Sequence, residues 1–223
     1  MTAVKKAAAK KKPISDDQII GLYMDQVLQN NTEPQNVYLF CRENKIAESD
    51  FYAFYGSLEA LKQDIWLKFF ENVQSTIASD ENYITYSAKN KLLTLYFSLI
   101  EILTLNRSYV LFALKEDRHV LKNLQQLKRF RNHFKHFIVD MINTQTSEEE
   151  KKVNKLVKPF FAEGAWVEFL IILKFWLDDT SKGFEKTDVL IEKTVKATFD
   201  VLDTTPLDSL LDLGKFVWKE KFN

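Results

Sequence analysis

The chemistry-bearing residues of this 223-residue chain are few, and its three histidines, His119, His133 and His136, fall in one stretch. His136 follows His133 by three positions and Asp140 follows His136 by four, so on a helix two or three of these groups could hold a metal ion. No second cluster of ligands accompanies them, so a solvated polar face is the expectation, with no metal and no cofactor. Nucleophilic catalysis has less to work with. No Ser or Cys nucleophile motif is matched to a histidine, and the single cysteine, Cys41, falls on the apolar face of a short helical segment as a small hydrophobe. Asp178-Asp179 and the Glu148–Glu150 run read as helix termini and solvated loops. Five scattered glycines make no phosphate cradle. The chain is expected to bind, not to catalyse.

The elements that must position a binding surface are helical. Apolar residues recur at helical spacing almost everywhere, without sustained alternation, which predicts an all-α fold. Helices are expected over 16–29, 35–44, 48–54 and 57–79, then around Leu92–Leu103, and over 107–116, 120–143, 162–179, 184–203 and 206–221. Ser15 and Ser57 are placed to cap the first and fourth, and Thr205-Pro206 to open the last. Pro159 is expected to break or kink the chain. Leu127, Phe130, Phe134, Phe137 and Met141 form one apolar face of the 120–143 helix. Its flanks carry Lys128, Arg131 and Lys135 on one side and Arg129, His133, His136 and Asp140 on the other. The final helix shows Leu207, Leu210, Leu211, Phe216, Val217 and Trp218 in a broad stripe expected to cover the core.

Composition narrows the class further. The chain is 46% hydrophobic and 28% charged, as soluble globular proteins are, and 13% aromatic, a generous supply of large apolar surface. One cysteine excludes an internal disulfide. The opening MTAVKKAAAKKKPIS is basic but lacks the apolar run of a secretory signal. The longest apolar stretches, Leu92–Leu105 and Ala165–Leu177, are interrupted by charges and shorter than the ~20 residues a bilayer requires. A cytoplasmic protein without stable membrane insertion is expected. Its 31 basic and 31 acidic residues cancel, but unevenly along the chain. Lys5, Lys6, Lys10, Lys11 and Lys12 give the tail +5, whereas residues 13–66 hold three basic residues against nine acidic ones.

Three short helices before a long one suggest a helix-turn-helix. Residues 40–61, FCRENKIAESDFYAFYGSLEAL, resemble the second half of the DNA-binding domain of the TetR family of repressors: Phe51-Tyr52, Tyr55 and Ser57-Leu58-Glu59-Ala60-Leu61 match its pattern in order and spacing. Residues 175–195 look like the C-terminal region of some members. The resemblance implies a basic tail over 1–14, expected to be disordered, a helix-turn-helix domain over 15–57, and a helical effector-binding and dimerisation domain over 58–223. It implies a homodimer that reads operator DNA through Lys45, Ser49 and Tyr52, with Lys5, Lys6, Lys10, Lys11 and Lys12 as an arm. A small apolar or lipid-like effector would lie among Tyr96, Phe97, Tyr109, Phe112, Phe130, Phe134, Trp166 and Phe169, and the dimer seam among Phe175, Trp176, Val189, Ile191, Val195 and Phe199. The sequence departs from the pattern where DNA would be touched. Lys45 stands in place of the usual turn Gly, Ala47 in place of a Ser or Thr cap, and Leu58 in place of a phosphate-gripping Lys, while Glu48, Asp50, Ala53 and Phe54 occupy contact positions. The alternative is therefore a TetR-fold accessory protein that binds lipids or isoprenoids, as in ubiquinone biosynthesis, and whose helix-turn-helix no longer binds DNA.

Overall fold

Ser15 opens the first helix, α1 (Asp16–Asn30), with a reciprocal capping box: its hydroxyl accepts from the Gln18 N–H, and the Gln18 side chain accepts from the Ser15 N–H. The computed structural model describes residues 14–115, 125–143 and 150–204. Among these, α1 is followed by α2 (Val37–Asn44), α3 (Glu48–Tyr52), α4 (Leu58–Ala78), α5 (Ala88–Leu105), α6 (Arg107–Lys115), α7 (Lys128–Asn143), α8 (Glu150–Asp178) and α9 (Glu185–Thr204), with no strand. The fold is all-α, as expected. The predicted helix over 206–221 and the basic tail over 1–13 lie outside the described residues. The chain divides into two compact units after Lys62, inside α4.

In the first unit, Ile19, Tyr23 and Val27 of α1, Phe40 and Cys41 of α2, and Phe51 of α3 are buried together with Tyr55 and Leu61. Tyr23, Phe40, Phe51 and Tyr55 meet edge-on or tilted, ring to ring, at 5.8–6.0 Å between centroids. Buried Gln26 ties α1 to the end of α2, donating to Glu43 at 2.5 Å and accepting from the Asn44 side chain at 2.6 Å. Lys62 closes the unit with ion pairs to Glu33 at 2.9 Å and Glu59 at 3.0 Å.

In the second unit the apolar faces of α4 to α9 share one core. Trp66, Phe70, Val73 and Ile77 come from α4; Leu92, Leu95, Tyr96, Leu99 and Leu103 from α5; Phe130, Phe134 and Ile138 from α7. Helix α7 packs along α8, and α9 packs against α5. Of the break or kink expected at Pro159, the break is corrected: α8 is one helix from Glu150 to Asp178 with Pro159 inside it. A proline removes one helical hydrogen bond and crowds the preceding turn, but here α8 carries a long buried face from Ala162 to Trp176 that holds the helix against its neighbours.

Polar groups fix the corners. At the turn from α5 into α6 the two axes bend by 91°. Arg107, first residue of α6, lies 4.3 Å from the Trp176 ring centre and 4.5 Å from that of Phe184, and donates to the carbonyls of Trp176, Leu177 and Asp179 at 3.1–3.4 Å. It thereby satisfies the orphan carbonyls at the end of α8. The Asp179 carboxylate accepts from the N–H and hydroxyl groups of both Ser181 and Thr187 at 2.7–3.0 Å, which starts α9. Between them Gly183 and Phe184 take left-handed φ of 62° and 61°. That conformation costs a non-glycine residue about 1–2 kcal/mol, and the contacts of the Phe184 ring with the Arg107 guanidinium and, tilted, with Trp176 offset it.

Candidate functional site

The helix-turn-helix is built as the sequence requires. Helix α2 ends in a Schellman turn, with the Lys45 N–H bonded to the Arg42 carbonyl at 3.3 Å and the Ile46 N–H to the Cys41 carbonyl at 3.0 Å. Lys45 adopts φ 58°, the left-handed conformation that explains the family's preference for Gly at this place. Helix α3 has no side-chain cap, as expected from Ala47. Lys45, Ser49 and Tyr52 are all exposed, so the three residues expected at DNA stand on the outward surface. Glu48, Asp50 and Phe54 share that surface, and α3 itself has no basic residue. Burial first, and then the charges of Glu48 and Asp50, push the Cys41 thiol above its ordinary value. Lys5, Lys6, Lys10, Lys11 and Lys12 lie outside the described residues.

Five of the eight aromatic residues expected around an effector, Tyr96, Phe130, Phe134, Trp166 and Phe169, come together packed on one another, whereas Tyr109 meets Phe69 at 6.5 Å. Phe130 meets Phe70, Trp166 and Phe169 at 5.3 Å each, and Phe134 meets Trp166 at 5.5 Å and Phe169 at 5.8 Å. Tyr96 stacks parallel to Phe134 at 6.5 Å. Tyr96, Tyr109, Phe130, Phe134, Trp166 and Phe169 are buried, while Phe97 and Phe112 are half-buried at the margin.

One buried carboxylate in this core is absent from the residues singled out by sequence. Glu168 is 8% exposed; its Oε2 accepts from the Thr198 hydroxyl at 3.1 Å and lies 3.4 Å from the Tyr96 hydroxyl, and its Oε1 is buried without a hydrogen-bond partner. Burial pushes its pKa above the ordinary carboxylate value despite the hydroxyls of Thr194, Thr198 and Tyr96. Its position inside an apolar run was the available signal, since a charge among large hydrophobes needs a partner.

The expected dimer seam is corrected in part. Trp176, Ile191 and Val195 are fully buried within the protomer and cannot face a second copy. Phe175 and Val189 are 40% and 47% exposed, and Phe199 is half-buried against Phe161. The outward stripe of α8 is Val167, Ile171 and Phe175, which with Leu170, Lys174 and Asp179 lines a surface groove of about 630 Å³. Spacing of four residues along the stripe was its signal, hidden because the opposite face is equally apolar.

The flanks of α7 serve structure. Arg131 pairs with Glu163 at 2.6 Å, Lys135 pairs with the same carboxylate, and Arg129 pairs with Asp64 at 2.6 Å. These two cations outweigh burial and hold the Glu163 carboxyl below its usual value. His133 and His136 are exposed, and His133 Nδ1 lies 2.9 Å from the Arg129 carbonyl. Among the described residues no cluster of three metal-ligating side chains occurs, and no single helix is long and apolar enough to cross a membrane.

Comparison with known proteins agrees with the fold. No curated protein matches the chain significantly in sequence. A solved structure from Syntrophomonas wolfei str. Goettingen, described as a TetR-family transcriptional regulator, superposes with a TM-score of 0.63 at 14% identity, covering 82% of this chain and 93% of that one. The family model described as tetracyclin repressor-like, C-terminal domain, matches residues 91–217, more than half of the sequence. The chain therefore belongs to the TetR family.

Proposed function

We propose that the protein is a regulator that works as a homodimer, takes a small apolar or lipid-like molecule in its C-terminal helical domain, and passes the occupancy of that domain to the helix-turn-helix. The dimer reading rests on the exposed stripe of Val167, Ile171 and Phe175 along α8, the kind of apolar surface that marks a protein interface. The effector reading rests on the aromatic cluster around Phe130 and Phe134, for which an apolar ligand would substitute in part. The DNA reading is supported by the outward placement of Lys45, Ser49 and Tyr52 on a helix-turn-helix of the family's form.

A specific observation favours the second reading, an accessory ligand-binding protein whose helix-turn-helix does not meet DNA. The exposed surface of α3 carries Glu48 and Asp50 and no cation, whereas DNA affinity rests on neutralising phosphates. Selection of random duplexes against the full-length dimer in low salt separates the two. Enrichment of a palindromic site establishes the DNA-binding regulator; recovery of no preferred sequence, together with a co-purified apolar adduct in native mass spectrometry, establishes the accessory protein. If neither a site nor an adduct is found, both readings fail.

A further inference from the structure

Helix α3 buries Phe51 and turns its other side chains outward. Glu48, Ser49, Asp50, Tyr52 and, just beyond the helix, Phe54 are exposed, Tyr52 by 52% and Phe54 by 46%. Two aromatic rings so open to water beside two carboxylates offer both apolar area and charge to a partner. Among the described residues Glu48 and Asp50 have no ion-pair partner, and their negative field is felt as far inside as the Cys41 thiol.

The two halves of this surface select the same ligand chemistry. A carboxylate attracts an ammonium by charge, and an aromatic face attracts it through the negative centre of the ring. A phosphate backbone is repelled by the same carboxylates. The occupant that fits is a segment rich in lysine, and the chain carries one: Lys5, Lys6, Lys10, Lys11 and Lys12, uninterrupted by any acidic residue.

We propose that the outward face of α3, formed by Glu48, Asp50, Tyr52 and Phe54, docks the lysine run of residues 5–12 of the same chain. Reach is sufficient. Nine residue-to-residue steps lead from Lys5 to Ile14, a span of about 30 Å when extended, and a unit of about 45 residues has a radius of gyration on the order of 9 Å. The tether holds the lysines at a local concentration on the order of millimolar, which lets exposed ion pairs that are individually weak act together. The contact is screened by salt. In the docked state the tail covers the recognition face, so the lysines that would grip DNA and the helix that would read it are withdrawn together. A partner, lipid surface or nucleic acid that takes the lysines would uncover α3. This inference is independent of whether the C-terminal domain holds an effector.

Zero-length carbodiimide coupling of the full-length protein tests it, using an equal mixture of unlabelled and nitrogen-15-labelled chains in low salt. The expected products join a lysine of residues 5–12 to Glu48 or Asp50 within peptides of a single isotope, and 0.5 M NaCl reduces them at least fivefold. In parallel, a fluorescein-labelled peptide of residues 1–13 is titrated onto a full-length chain in which the five lysines are changed to Gln. Binding is expected to weaken at least tenfold when E48Q and D50N are added, and severalfold with Y52A alone. Couplings spread evenly over Asp16, Asp17, Glu33 and Glu59 would overturn the proposal. So would mixed-isotope products, which place the tail on a second copy, or peptide binding that is indifferent to E48Q and D50N.

Discussion

Whether the aromatic cluster is solid core or a space awaiting a ligand can be decided at Phe134. Its ring is fully buried and touches five others, those of Phe70, Tyr96, Phe130, Trp166 and Phe169, at 5.5–6.5 Å between centroids. Truncation of a buried Phe to Ala costs about 3–5 kcal/mol, through lost transfer energy and the cavity left behind. Ring pairs add roughly 0.5–1.5 kcal/mol beyond area burial, so five neighbours place Phe134→Ala at about 5 kcal/mol. For a protein of this size each kcal/mol moves Tm by roughly 2–4 °C, a drop on the order of 10–20 °C by scanning calorimetry of the ligand-free protein. Phe134→Leu, which keeps most of the volume, is expected to lose about 1–2 kcal/mol and remains measurable if the Ala variant does not fold. Benzene or indole added to the Ala variant should recover part of the loss by filling the new cavity. If Phe134→Ala costs under about 2 kcal/mol, the ring borders empty space and the reasoning from ring contacts is refuted.

Two buried carboxylates of the second unit, Glu168 and Asp179, should titrate in opposite senses. Glu168 is held above its ordinary value by burial, so its ionised form weakens the fold as pH rises through that raised value. Glu168→Gln is therefore expected to raise Tm at pH 8 and to leave it unchanged near pH 4; an equal effect at both refutes this. Asp179 is held well below its ordinary value because the Ser181 and Thr187 hydrogen bonds outweigh burial, so its contribution is present above the unfolded value of ~3.9 and lost as pH falls through the folded one. Asp179→Asn should lower Tm at pH 7, and the difference should shrink in strong acid. Lys45→Gly relieves the left-handed strain at φ 58° and is expected to slow amide exchange in α2 by about 1 kcal/mol, whereas faster exchange would show that the Lys45 side chain contributes more than its backbone costs. Phe175→Asp places a charge in the exposed stripe of α8, and light scattering should find protomers at micromolar concentration; an unchanged assembly moves the seam elsewhere.

Much of this architecture was legible because local signals agreed. The Ser15 box and Ser57, whose hydroxyl accepts from the Ala60 N–H at 3.1 Å, were readable from residue type alone. The apolar face from Leu127 to Met141 was readable from period. What stayed hidden was decided by tertiary context. Helix α8 from Ala165 to Leu177 is apolar on nearly every side, so periodicity could not say which side faces inward, and Trp176 was placed at a seam it does not reach. Pro159 marks a weak point in any helix, but whether the chain yields there depends on neighbours distant in sequence. The basic flank of α7 had an acidic run nearby to balance it, yet Arg131 and Lys135 both choose Glu163, which the packing of α7 on α8 brings alongside.

The corner at Arg107 limits how the second unit can rearrange. One planar guanidinium lies against two rings, which themselves meet at 6.0 Å, while it holds three carbonyls, so the start of α6, the end of α8 and the entry to α9 share a single rivet. Sliding α8 past α5 there is expected to cost both ring contacts and the three hydrogen bonds together. Rotation about the rivet is expected to disturb them least. Movement in this domain is thus expected to be that of a lever pivoting on Arg107, with its largest displacement at the opposite end of α8.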